Sequence, residues 1–136
     1  MKRTPLLNRH LSELVASLGH LDEIIIADAG LPVPAGVRVL DLAVSPGIPG
    51  FRDLLRALRS ELVIEGAIWA EEASTEVSAM MQCEVDLWSS ETDKTIDVAK
   101  LSHTDFKRRS TTARAVIRTG EVTPYANIIL ISGVPF

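Results

Sequence analysis

The 136 residues hold three histidines, His10, His20 and His103, and two of them flank predicted helix ends. His20 follows Gly19, just past a helix predicted over Asn8–Leu18. His103 stands in Ser102-His103-Thr104-Asp105, a capping-box pattern that opens a short helix running to about Ser110. A helix C-terminus favours a positive charge and an N-terminus opposes one. His20 is therefore expected to lean towards imidazolium and His103 towards neutral imidazole. Two titratable groups pushed apart are what a proton-transfer site needs. His10 falls inside the first helix and reads as a surface residue.

Three further positions could serve such a site. Ile24-Ile25-Ile26-Ala27 is a β-branched run too short for a helix, so it reads as a buried strand, and Asp28 ends it. Ligands of open α/β sheets gather outside the carboxyl ends of strands, although aspartate also suits a plain turn. Tyr125-Ala126-Asn127 opens the last predicted strand, and residues two apart on a strand face the same way. The phenol and the carboxamide could then point together into a cleft and serve sugar hydroxyls. They could equally cover the core edge and close a turn.

Other chemistries find little support. No His-x-His or His-x-x-x-His spacing offers a zinc pair. There is no Gly-x-Ser-x-Gly, and the one cysteine, Cys83, has no histidine nearby in sequence. Gly47-Ile48-Pro49-Gly50 matches neither a dinucleotide fingerprint nor a phosphate loop. Glu71 and Glu72 could form a glycosidase-like pair with Asp28, but a helix-start role suits them better. The constellation that remains is two histidines, one aspartate, one tyrosine and one asparagine, with no metal, cofactor or covalent nucleophile. That set suits proton shuffling on a small polyhydroxyl compound.

The elements that must position these residues alternate in type. Helices are expected at Asn8–Leu18, Phe51–Leu62, Ser74–Trp88 and 103–110. Strands are expected at Ile24–Ala27, Val37–Ala43, Leu62–Ala70, Thr95–Leu101, Ala113–Arg118 and Tyr125–Ser132. Gly19 is expected at the left-handed position that ends the first helix. The alternation predicts one α/β domain over residues 1–136, with three layers, a mixed but mostly parallel sheet, and helices on both faces.

Composition agrees, with 46% hydrophobic and 24% charged residues, as in a globular chain. A net charge of −4 and the lack of a basic stripe argue against a nucleic-acid surface; Lys107-Arg108-Arg109 reads as a solvated helix face. The single cysteine suits a reducing compartment. The N-terminus lacks the apolar region of a signal peptide, and no stretch reaches membrane-spanning length. A cytoplasmic location is expected.

Several blocks together resemble the ribose pyranase / fucose mutarotase family. They are Gly19-His20, Asp28-Ala29-Gly30-Leu31-Pro32, Gly47-Ile48-Pro49-Gly50-Phe51, Ala70-Glu71-Glu72, His103-Thr104-Asp105-Phe106-Lys107, and the closing Ala115–Glu121 with Pro124–Leu130. The resemblance runs over essentially the whole chain, and Gly30-Leu31 favours its ribose branch. It implies His20 as proton donor and Asp28 and His103 as substrate-binding residues. It implies that Tyr125, Ala126 and Asn127 contact the sugar from a neighbouring subunit. It further implies a homodecamer of stacked rings, no cofactor, and conversion of D-ribose from pyranose to furanose ahead of ribokinase. A fucose-type mutarotase and a non-catalytic sugar-binding module are the competing readings.

Overall fold

The central strands of the sheet are short, mostly aliphatic runs buried on both faces, as strands covered by helices on either side must be. The structure is a computed structural model and describes all 136 residues. In chain order the elements are α1 (Arg9–Ser17), β1 (Glu23–Ala27), β2 (Arg38–Asp41), α2 (Phe51–Arg59), β3 (Ile64–Ala70), α3 (Thr75–Thr92), β4 (Asp97–Leu101), α4 (His103–Arg109), a 3-10 turn (Ser110–Thr112), β5 (Ala115–Arg118) and β6 (Ile128–Ser132).

The six strands lie in the order β2-β5-β1-β6-β3-β4. Only β6 runs against its neighbours, β1 and β3; the other pairings are parallel. Alternate residues of β1 enter different cores. Ile24 and Ile26 pack with α1, α2 and α3 residues such as Leu14, Leu55 and Met81. Ile25 and Ala27 pack on the other face with Leu31, Phe106 and Val116. The result is the expected three-layer α/β domain, with α4 and the Leu31 loop covering the second face. No helix is long and apolar enough to cross a membrane.

All ten predicted elements are present, and the differences lie at their ends. The left-handed turn after α1 falls at Leu21 (φ 68°), not at Gly19. The helix stops at Ser17 because the Asp22 carboxylate accepts the Gly19 N–H at 2.8 Å, and Leu21 donates to the Ser132 carbonyl. His20 thus lies in a turn beyond the helix end. Helix α3 runs to Thr92, four residues past the expected end. It buries Val77, Met81, Val85, Trp88 and Glu84, while Leu87 is exposed. The buried Glu84 takes ion pairs from Arg52 and Arg59 of α2, with Arg56 nearby at 3.7 Å. Strand β2 is a four-residue exposed edge. Strand β6 begins at Ile128, so Tyr125, Ala126 and Asn127 precede it rather than open it.

Because β6 alone is reversed, its start shares one end of the sheet with the carboxyl ends of the other five strands. That end carries Asp28 after β1, Glu71 and Glu72 after β3, Ser102 after β4, Thr119–Glu121 after β5 and Asn127 before β6.

Candidate functional site

Asp28 leaves β1 and is held at once by Asn127. The Asn127 Oδ1 accepts the Asp28 backbone N–H at 2.8 Å, and Asn127 Nδ2 donates to Asp28 Oδ2, also at 2.8 Å. Asp28 Oδ1 accepts the Gly30 N–H at 2.9 Å. Each carboxylate oxygen has one internal partner, which fixes the plane of the group and leaves lone pairs for hydroxyl donors. The period-two expectation for Tyr125 and Asn127 does not hold. Tyr125 takes a left-handed φ of 62°, its carbonyl accepts the Asn127 N–H, and the Asn127 amide is turned onto Asp28. The Ala126 side chain is buried in the core.

His103 reaches the same place from the other side. It is the first residue of α4, with Ser102 as N-cap accepting the Asp105 N–H. Both oxygens of Glu72 accept the His103 backbone N–H, at 2.8 and 3.0 Å. That bond holds the Glu72 carboxyl below the usual range. The Glu71-Glu72 pair does serve a helix start, through Glu72, but the helix is α4 and not the α3 that follows it in sequence. The His103 ring meets Tyr125 edge-on at 5.0 Å and stacks on Phe106 at 6.3 Å. Its Nδ1 is buried with no hydrogen-bond partner. A buried polar atom of that kind is ordinarily paired, by the protein, by ordered water or by a ligand.

Asp28, His103, Tyr125 and Asn127 line a cleft of about 230 Å³, with Leu31 and Pro32 as an apolar wall. A groove of about 380 Å³ adjoins it, sharing Asp28, Gly30 and Pro124. The cleft is smaller than the ~300–1,000 Å³ of sites for drug-sized ligands, so it suits a small polar molecule. No group of three or more His, Cys, Asp or Glu side chains is arranged to hold a metal ion.

His20 is not in this cleft. It sits before β1, whose five residues alone span about 17 Å, while Asp28 sits after it. Its Nε2 contacts Glu65 Oε2 at 2.8 Å, both side chains being about half exposed. Glu65 belongs to the start of β3, at the amino ends of the parallel strands. The predicted residues therefore fall into two groups within one chain. Within one chain Tyr125 and Asn127 line the same cleft as Asp28 and His103, and the residue set apart from it is His20.

Sequence reasoning missed Glu65, Glu72 as a His103 holder, and Glu121. Glu65 had a visible signal, a lone carboxylate inside an apolar strand. Glu121 had only its place in the closing Gly-Glu block, where it read as a turn. Its carboxylate accepts the N–H groups of Val122 and Thr123, both at 3.0 Å. Burial works against ionisation, but the N–H groups of Thr123, Val122 and Phe51 outweigh it and hold the carboxyl below its usual range.

This fold and cleft define an α/β domain built to receive a small polar ligand at the carboxyl ends of its strands. The chain belongs to the RbsD / FucU transport protein family, whose model matches residues 1–135. It is 51% identical to the D-ribose pyranase of Vibrio campbellii, over the full length of both chains. Its fold matches that of Bacillus subtilis RbsD complexed with D-ribose at a TM-score of 0.89, with 42% identity and full coverage of both chains. The fucose mutarotase of Streptococcus pneumoniae in complex with L-fucose shares the fold at a TM-score of 0.80 and 23% identity, covering 98% of this chain and 99% of the other.

Proposed function

We propose that the chain is an isomerase that interconverts the pyranose and furanose forms of D-ribose. The observation that carries this reading is Asp28, fixed by Asn127 and lining one small cleft together with His103, whose Nδ1 has no hydrogen-bond partner within the chain. Full-length identity to D-ribose pyranases and the fold of a ribose-complexed relative support ribose as the sugar.

The reaction needs little machinery. The hemiacetal opens when the ring oxygen gains a proton and the anomeric hydroxyl loses one. The open chain rotates, and another hydroxyl closes on the aldehyde. A positioned acid and base contribute about 10²–10⁴-fold, and the reaction already proceeds in water. Asp28 accepts sugar hydroxyls, and His103 Nδ1 takes or gives one more hydrogen bond. Tyr125 covers the cleft, while Asn127 acts mainly by orienting Asp28. His20 supplies the proton and takes it back on reclosure. Glu65 orients its ring.

His20 lies too far from Asp28 to act in its own chain, so His20 of a neighbouring copy completes the cleft. Such a contact joins one end of the sheet to the opposite end of the next copy, and head-to-tail contacts of this kind form rings where the rotation between copies closes. The family resemblance points to a decamer of stacked rings. Exposed Val122 lines the groove beside the cleft, exposed Val44 lies with it in a neighbouring pocket, and exposed Leu21 follows His20, which gives each end an apolar rim for the contact. The furanose so formed suits a kinase that takes that ring form.

The test is magnetisation transfer between ribose pyranose and furanose signals, with native chain and with His20→Ala. Faster exchange with the native chain alone supports the reading. Broadened ribose signals without faster exchange would favour a binding module, and faster exchange with L-fucose than with ribose would favour the sister branch.

A further inference from the structure

We infer that Glu121 is a positioning residue that holds both halves of the sugar cradle, an inference that rests on the proposed ribose site. Its backbone carbonyl accepts the Ala29 N–H at 2.8 Å, one residue beyond Asp28. Its carboxylate accepts the N–H groups of Val122 and Thr123. The Thr123 carbonyl in turn accepts the Ala126 N–H, inside the segment that presents Tyr125 and Asn127. One residue thus tethers the end of β1 and the turn that leads to β6.

The turn needs this support. Tyr125 is a non-glycine residue in the left-handed region, a conformation that persists only where its surroundings over-determine it. The carboxylate is turned back onto its own loop rather than towards a sugar, so its effect passes through Tyr125 and Asn127. The base of the tether is itself fixed. Glu121 N–H donates to the Thr119 hydroxyl, which donates to the Ala27 carbonyl. Gly120 exchanges backbone bonds with Gly47 and Pro49, and a Cβ there would meet the Ser45 and Ile48 carbonyls at 2.5 Å.

Full-length Glu121→Ala and Glu121→Gln are compared with the native chain for ribose exchange against ribose concentration, and for amide hydrogen exchange. Glu121→Ala is expected to raise KM about tenfold or more, the fold-change that losing charge-assisted hydrogen bonds carries. The saturated rate should change much less, because proton transfer belongs to His20. Glu121→Gln, which keeps an acceptor oxygen, should recover part of the loss. Amide exchange should quicken at residues 122–127 and stay unchanged in β1 and β6. An unchanged KM in both variants, or faster amide exchange across the whole sheet, would overturn the assignment. A native chain that does not accelerate ribose exchange would overturn the ribose reading instead, and the amide-exchange arm would still decide Glu121's hold on the loop.

Discussion

Asn127 grips Asp28 twice, accepting its backbone N–H and donating to its Oδ2, both at 2.8 Å, although 99 residues separate the two in sequence. Asn127 is buried, with 1% of its surface exposed, so its amide has no water to fall back on. Replacing Asn127 with aspartate would set two carboxylates against each other and remove the donor. Asn127→Asp should abolish ribose binding and cost about 1–3 kcal/mol of stability, the usual range for a buried polar group left unpaired. Calorimetric titration with ribose and a thermal melt check both. Retained binding would mean that Asn127 does not orient Asp28.

His20 and Glu65 form the second relationship of consequence. The carboxylate fixes one ring nitrogen and leaves the other free to face a neighbouring copy. Glu65→Ala should slow ring exchange by about tenfold or more, since the acid would lose its orientation. Ribose affinity should hold within about threefold, because the Asp28 cleft is untouched. Steady-state exchange rates over a range of ribose concentrations separate the two effects.

Glu84 bears on stability and not on chemistry. Burial alone would raise its carboxyl, but Arg52 and Arg59 outweigh that and hold it below the ordinary value of 4.5. Glu84→Ala would free the half-exposed Arg52 to water and leave the mostly buried Arg59 with Glu91 as its remaining partner, and should cost about 1–3 kcal/mol. Chemical denaturation measures this. Ring exchange at low temperature should survive in the fraction that remains folded.

Acid should weaken the fold through the same groups. Glu72, Glu84 and Glu121 all sit below 4.5. A depressed carboxyl contributes stability that is fully present above its unfolded value and is lost as pH falls through the folded one. Melting temperature should therefore be flat from neutral pH to about 5 and fall below that. Glu84→Gln should flatten the fall.

Much of this was legible in the chain. Ile24–Ala27 announces a strand buried on both faces, and the Leu54, Leu55 and Leu58 stripe announces α2. Asp28 and His103 were readable as candidates because strand ends and helix starts leave local marks. What was hidden depends on distant partners. Glu84 looks solvated until α2 brings the arginines that pair with it. The Tyr125 turn is hidden because its left-handed backbone is imposed by tethers through Glu121, not by any glycine. The His20–Glu65 pair requires knowing that β6 lies between β1 and β3. The separation of His20 from Asp28 follows from β1 itself, since one precedes the strand and the other ends it.

The most direct measurement is ribose ring exchange in a co-assembled mixture of His20→Ala and Asp28→Ala chains, beside the native chain and each variant alone. Acceleration by the native chain, little by either variant alone, and partial recovery in the mixture would establish a ribose site built from Asp28 of one copy and His20 of the next. No recovery in an assembled mixture would contradict the shared site, and no acceleration by the native chain would contradict the activity itself.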